Sequence, residues 1–215
     1  MSWTNGVGRA CGVLLDAIVR LLALSRINPN LLTLMGLVVN TYAAFLFGYA
    51  NGDNQRRLFF YAGLVIIGSG FFDLVDGRVA RALNRVTRFG AFFDSVVDRY
   101  SDASLFFGLL VYYARGNRFF YVVLTAIVMT GSVMVSYTRA RAENTIPKCK
   151  VGFLERPERV VLLIIGALTD RMAPVLWVIA VLSNLTVIHR MIYTWQETKR
   201  LEEAQLRAVP RSTTV

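Results

Sequence analysis

Six long apolar stretches constrain the fold of this 215-residue chain more than any other feature. A helix needs about 20 mostly apolar residues to cross the hydrocarbon core of a bilayer. Hydrophobic residues make up 55% of the chain and charged residues 18%, against about 45–50% and about 25% in soluble domains. The sequence therefore predicts an all-α integral membrane protein with six transmembrane helices. The stretches are Leu31–Ala50, Leu58–Phe72, Gly90–Ala114, Phe119–Tyr137, Val160–Leu168 with its flanks, and Ala173–Ile188.

The distribution of basic residues predicts how these helices are oriented. Cytoplasmic loops of membrane proteins are enriched in Lys and Arg. With the N-terminus inside, 18 of the 24 basic residues fall on the cytoplasmic side and five outside, while Arg99 lies within a span. We therefore expect a multi-pass protein of the cell membrane with both ends in the cytoplasm. Because the net charge of +10 follows the membrane loops, nucleic-acid binding is not expected.

Two shorter segments flank the predicted membrane domain, which comprises residues 31–198. Residues 1–30 contain the stretch Gly8–Arg26, whose charged residues lie near one face of a helix. This pattern predicts an N-terminal amphipathic helix, either in the membrane interface or packed on protein. Residues 199–215 are predominantly polar and predict a C-terminal tail.

Four aspartates lie at the predicted inner ends of the second and third spans. Asp73 and Asp76 are three positions apart, and Asp94 and Asp98 are four apart, so each pair shares one helix face. Ionisable residues within spans are costly and indicate function by default. Four converging carboxylates would repel one another, and Mg²⁺ or Mn²⁺, which prefer oxygen ligands, would remove that repulsion. The alternative is pairing with nearby arginines, which explains one isolated aspartate better than four.

Small and basic residues complete a pattern of fixed spacing around these aspartates. The chain reads D-x2-D-G-x2-A-R-x8-G-x3-D-x3-D from Asp73 to Asp98. This pattern resembles the signature of the CDP-alcohol phosphotransferases, and every fixed position is filled. The resemblance implies two Mg²⁺ or Mn²⁺ ions near the cytoplasmic face, held by Asp73, Asp76, Asp94 and Asp98. It also implies that Asp98 is the general base for an acceptor hydroxyl. The implied CDP-lipid contacts are Asp73, Gly77, Ala80, Arg81 and Gly90.

A second pair of runs, SYTRARAE from Ser136 and GFLERPER from Gly152, borders the fourth and fifth spans. Arginines that converge beside a metal site would suit a phosphorylated acceptor. The runs are similar to SYxKARAE and GFxERPER of the phosphatidylinositol phosphate synthases, with Arg139 in place of a lysine. That resemblance implies CDP-diacylglycerol as lipid donor, inositol 1-phosphate as acceptor, and a homodimer. The implied acceptor contacts are Ser136, Arg139, Arg159 and Arg190.

Three other functions remain open from the sequence. A phosphatidylglycerophosphate synthase would use the same chemistry with glycerol 3-phosphate and would also need a basic pocket. A cation channel or transporter could use intramembrane acids, although acids confined to one membrane face do not make a path across it. A scaffold would use the helices for assembly alone. Neither Arg99 nor Asp102 receives a role from the motif.

Overall fold

The computed structural model describes residues 28–82 and 87–208, and for residues 74, 76–82, 207 and 208 it describes the backbone only. The described chain consists of helices and connecting turns, without strands, which confirms the predicted all-α class. The helices are α1 (Pro29–Tyr49), α2 (Gln55–Ala82), α3 (Arg88–Arg115), α4 (Phe119–Ala142), α5 (Arg156–Leu168) and α6 (Met172–Ala208).

Polar caps fix where the first and third helices begin. The Asn28 side chain accepts a hydrogen bond from the Asn30 amide at 3.1 Å, and Pro29 occupies the first turn of α1. The Thr87 hydroxyl accepts from the Gly90 amide at 2.9 Å at the start of α3. Both contacts satisfy amides that have no partner within the first turn of a helix.

Each predicted span lies within one helix, apart from Ala50, which caps the end of α1. Within the described residues, three helical segments are long and apolar enough to cross a membrane, namely α1, α4 and Met172–Leu206 of α6. That α2, α3 and α5 also cross the membrane stays a prediction. The predicted N-terminal amphipathic helix and the last seven residues lie outside the described parts, while residues 199–208 continue α6.

Helix α1 packs against both helices that carry the motif aspartates and so holds them near each other. Helix α1 packs against both α2 and α3, α4 packs against α3 and α6, and α5 packs against α2 and α6. At Gly108 of α3 a side chain would overlap the carbonyl group of Ala44 in α1, so the close approach requires glycine. The ends of the helices opposite to Asp73 and Asp98 are filled by aromatic rings with centroids 4.9–5.0 Å apart: Phe47, Phe59, Tyr112, Tyr113 and Tyr121.

Candidate active site

Helices α2 and α3 bring carboxylates of the aspartate motif together. Asp73 lies towards the C-terminal end of α2, whereas Asp94 and Asp98 lie in the N-terminal half of α3. The Arg156 Nη1 atom is 3.0 Å from Asp73 Oδ2 and 3.1 Å from Asp98 Oδ1. Because both carboxylates contact one nitrogen, they face each other between the two helices. Asp94, one turn before Asp98, interacts electrostatically with both Asp73 and Arg156.

Among the described side chains, Arg156, the first residue of α5, is the cation that lies among these carboxylates. Its Nε atom also lies 3.5 Å from Asp102 Oδ1, and its side chain is 25% exposed. Arg99, which the sequence left without a role, donates from Nη1 to the Ser95 carbonyl and to the Ser95 hydroxyl on its own helix. The ionic partner of Asp73 and Asp98 therefore comes from a distant part of the chain.

The chemistry of this site suits a divalent metal ion. Carboxylate oxygens are the ligands that Mg²⁺ prefers, and a positively charged guanidinium already lies between Asp73 and Asp98. Gly36 of α1 leaves space beside them, since a Cβ there would lie 3.1 Å from Asp73 Oδ1. Among the described side chains, which exclude Asp76, no three Asp, Glu, His or Cys residues form a group ready to hold a metal. The binuclear site stays a prediction.

Four motif residues, Asp76, Gly77, Ala80 and Arg81, belong to the part of α2 described by its backbone only. Their roles in binding metal and the CDP-lipid therefore stay predictions. Gly90 lies in the first turn of α3, where a Cβ would be 3.0 Å from the capping Thr87 hydroxyl. The absence of a side chain at Gly90 thus allows the cap, and its contact with a CDP-lipid also stays a prediction.

Arg159, one turn further along α5, is buried and only partly paired. Its side chain is 1% exposed, and Nη2 donates to Asp102 Oδ2. The Nε and Nη1 atoms are buried with no hydrogen-bond partner among the described residues. Buried polar atoms are nearly always paired, so these two donors are suited to an anionic ligand.

Arg139 and Arg190 meet at a single carboxylate. Glu155 Oε1 accepts from Arg139 Nη1 at 3.0 Å and from Arg190 Nη2 at 2.9 Å. The remaining Arg190 nitrogens donate to backbone carbonyls of Val135 and Val151, at 2.8 Å in the second case. Arg190 therefore has a partner for each nitrogen, whereas Arg159 keeps two nitrogens without one.

The loop before α5 is held in place by a buried threonine of α6. Thr186 Oγ1 accepts from the amides of Phe153 and Leu154 at 3.0 and 3.1 Å. Gly152 has a φ of +136°, and a Cβ there would lie 2.5 Å from Thr186 Cγ2, so glycine is required on both grounds. The loop borders an open polar cleft of about 350 Å³ lined by Arg139, Lys150, Gly152, Phe153, Glu155 and Glu158.

The structure thus relates the predicted acceptor residues to the acidic site through α5. Arg139 and Arg190 converge on Glu155, whose neighbour Arg156 contacts Asp73 and Asp98. Ser136 lies one turn before Arg139 on α4 and is half-buried. Sequence reasoning missed Glu155, Arg156, Thr186 and Asp102. The sequence shows that Glu155, Arg156 and Asp102 are charged, but it does not show their partners, which lie on other elements. Thr186 has no sequence signal that separates it from other polar residues in an apolar helix.

The described residues form six helices, two of which bring aspartates together beside arginines, and this arrangement suits a membrane enzyme that acts on phosphate esters. The sequence model described as CDP-alcohol phosphatidyltransferase matches residues 26–196. This chain belongs to the CDP-alcohol phosphatidyltransferase family. The predicted family and enzyme class are confirmed.

Two curated relatives carry names that share one headgroup. The chain is 35% identical over 189 residues to archaetidylinositol phosphate synthase of Pyrococcus horikoshii, a match that covers 87% of this chain and 93% of the relative. It is 34% identical over 193 residues to phosphatidylinositol phosphate synthase of Streptomyces avermitilis, covering 83% and 76%. The two names differ in the lipid and agree in inositol phosphate.

Crystal structures of one bacterial enzyme show a similar fold. The phosphatidylinositol phosphate synthase of Mycobacterium tuberculosis with CDP-DAG bound superposes with a TM-score of 0.76 at 30% identity, covering 84% of this chain and 93% of the other. The same enzyme in complex with manganese and citrate gives a TM-score of 0.73 at 30% identity, covering 84% and 88%. The manganese complex supports divalent-metal use in this family.

Proposed function

We propose that this protein transfers the phosphatidyl group of CDP-diacylglycerol to inositol 1-phosphate, giving phosphatidylinositol phosphate and CMP. The observation that carries the proposal is the buried Arg159, which has two donors without partners and belongs to the same ionic network as Asp73 and Asp98. A phosphate-binding cation beside a metal-binding carboxylate site is what a phosphorylated acceptor would need. The names of both curated relatives support inositol phosphate as that acceptor.

In the proposed acceptor site, the role of each arginine follows from how many of its donors already have a partner. Arg159 would bind the phosphate of inositol 1-phosphate by a charge-assisted hydrogen bond from one of its unpaired donors, Nε or Nη1. Arg139 would contribute from the rim of the cleft, where its side chain is 35% exposed. Arg190 would support both by fixing Glu155 and the loop, and Ser136 would add a hydroxyl from α4.

In the proposed reaction, Asp98 takes the proton of the attacking inositol hydroxyl at a carboxylate oxygen. The hydroxyl oxygen forms a bond to the β-phosphorus of the CDP-lipid, the anhydride bond breaks, and CMP leaves with the bonding electrons. Asp73, a proposed CDP-lipid contact, and Asp98 both contact Arg156 Nη1, so the base would lie beside the lipid phosphates. The general base must be within hydrogen-bond reach of the proton that it accepts.

Asp73, Asp76, Asp94 and Asp98 would hold two Mg²⁺ or Mn²⁺ ions. Such ions neutralise the charge that develops on phosphate oxygens during transfer. Gly77, Ala80, Arg81 and Gly90, with Asp73, would lie against the CDP-lipid. The similarity to a manganese complex supports the choice of metal.

We further propose six membrane spans with the acidic ends of α2 and α3 at the cytoplasmic face. The three strongly apolar helices support the membrane location, and the arginine-rich segments that flank the motif and α5 support the orientation. In this proposal residues 1–30 form the interfacial segment, residues 31–198 the catalytic domain and residues 199–215 a polar tail. The active protein would be a homodimer.

Comparison of acceptors by CMP release tests the proposal. Purified protein is given CDP-diacylglycerol and Mg²⁺, and the rate of CMP release is measured separately with inositol 1-phosphate, inositol, glycerol 3-phosphate and serine. We expect inositol 1-phosphate to give the fastest release, since only a phosphorylated acceptor uses Arg159 and the relatives share the inositol headgroup. A preference for glycerol 3-phosphate would contradict the acceptor assignment, and a preference for free inositol would contradict the phosphate-binding role of Arg159.

A further inference from the structure

Asp102 lies between the acidic site and the acceptor arginines, outside the family motif. It is one turn after Asp98 on α3 and is 6% exposed. Its Oδ2 atom accepts from Arg159 Nη2, and its Oδ1 atom lies 3.5 Å from Arg156 Nε. Each carboxylate oxygen therefore faces a different arginine of α5.

The hydrogen bond to Asp102 fixes the orientation of the Arg159 guanidinium. A guanidinium has a planar fork of donors, so fixing one terminal nitrogen sets the direction of the others. With Nη2 bound to Asp102, the Nε and Nη1 atoms are the donors left without partners among the described residues. The Asp102 charge also keeps the Arg159 guanidinium buried, since a buried charge without a partner is strongly unfavourable.

We infer that Asp102 is a positioning residue for the acceptor: it orients Arg159 so that one of the donors left unpaired, Nε or Nη1, receives the acceptor phosphate. The inference rests on the proposed function and adds a residue to its acceptor site. Since Asp102 is also one turn from Asp98, the phosphate bound at Arg159 sets the distance between the acceptor hydroxyl and the general base. Asp102 acts through Arg159 and has no contact of its own with the substrate in this account.

The test compares KM for the acceptor with KM for the lipid in Asp102→Asn, which keeps the side-chain shape and removes the charge. We expect KM for inositol 1-phosphate to rise roughly tenfold or more, the effect of weakening one charge-assisted hydrogen bond. KM for CDP-diacylglycerol should change by less than about twofold. Asp53→Asn, at an exposed loop position between α1 and α2, is the matched control and should resemble the wild type. Equal increases in both KM values would overturn the inference.

A double variant keeps the test decisive if Asp102→Asn folds poorly. Asp102→Asn with Arg159→Gln removes both charges together, and it should have the same acceptor KM as Arg159→Gln alone, because coupled residues are non-additive. A further tenfold rise in the acceptor KM of the double variant, relative to Arg159→Gln alone, would overturn the inference.

A second readout does not depend on turnover. Inorganic phosphate should raise the Tm of the wild type, and Asp102→Asn should need roughly tenfold more phosphate for the same shift. An unchanged phosphate requirement would overturn the inference. If the wild type releases CMP only with glycerol 3-phosphate, the proposed acceptor fails, and the same comparisons with that acceptor still test Asp102.

Discussion

Replacement of Arg156 by glutamine tests whether Asp73 and Asp98 hold the metal. The Arg156 guanidinium contacts both carboxylates through one nitrogen, at 3.0 and 3.1 Å. A divalent ion bound to the same oxygens must displace this guanidinium. Arg156→Gln removes the positive charge while it keeps most of the side-chain length. The variant should therefore bind Mn²⁺ and Mg²⁺ more tightly than the wild type.

The size of the effect follows from the two ion pairs. Unit charges 4 Å apart attract by about 4 kcal/mol at an effective dielectric constant of about 20. Solvent lowers that value, since the side chains are 25% exposed at Arg156, 27% at Asp73 and 18% at Asp98. Partly exposed pairs have net values near 1 kcal/mol, so two pairs give about 2 kcal/mol. This corresponds to a roughly thirtyfold lower dissociation constant for the metal, since about 1.4 kcal/mol is tenfold.

The assay follows Tm against Mn²⁺ concentration, because a ligand that binds the folded state raises Tm by mass action. The Mn²⁺ concentration for half of the maximal shift should fall roughly thirtyfold in Arg156→Gln. Arg171→Gln is the matched control, since Arg171 is exposed and follows the opposite end of α5. It should need the same Mn²⁺ concentration as the wild type. If Arg156→Gln needs an equal or higher concentration, Asp73 and Asp98 do not hold the metal together.

The remaining predictions concern the packing that supports the site. Gly108→Ala should destabilise the fold by about 1–3 kcal/mol, as overpacking does, because its methyl group would overlap the carbonyl oxygen of Ala44. Gly68→Ala, whose Cβ would meet nothing within 4 Å, should not lower Tm, and equal Tm values for the two variants would refute the close approach of α1 and α3. Thr186→Val should lower the free energy of unfolding by about 1–3 kcal/mol for each loop amide that loses its acceptor. Thr194→Val, which removes only a hydroxyl bonded to its own helix, should change it less, and equal losses would contradict the loop contact.

The sequence was informative about features that repeat locally along the chain. Apolar stretches predicted the position of each of the six described helices, because a long helix in an apolar environment needs a continuous apolar surface. The motif spacing predicted that Asp73 and Asp98 belong to one site, and their shared contact with Arg156 agrees with that prediction. Asp94 and Asp98 share a helix face because of their spacing alone.

The long-range ionic contacts could not be predicted from the sequence. Arg156 is 83 positions from Asp73, and Arg159 is 57 positions from Asp102. The resemblance singled out Arg159 as an acceptor contact, but nothing in the sequence showed which carboxylates Arg156 and Arg159 would contact. Glu155 combines two functions that sequence patterns do not separate, since it caps α5 in a reciprocal contact with Glu158 and also joins Arg139 to Arg190.

Replacement of Asp94 by asparagine tests whether the motif carboxylates serve metal-assisted transfer from a CDP-lipid. The change keeps the shape of the side chain and removes the charge of a proposed metal ligand. CMP release from CDP-diacylglycerol is measured with inositol 1-phosphate, in the presence of Mg²⁺ and after its removal by EDTA. We expect Mg²⁺-dependent release by the wild type and by Asp53→Asn, and no release above background by Asp94→Asn. If Asp94→Asn releases CMP at the wild-type rate, the motif carboxylates do not serve metal-assisted transfer.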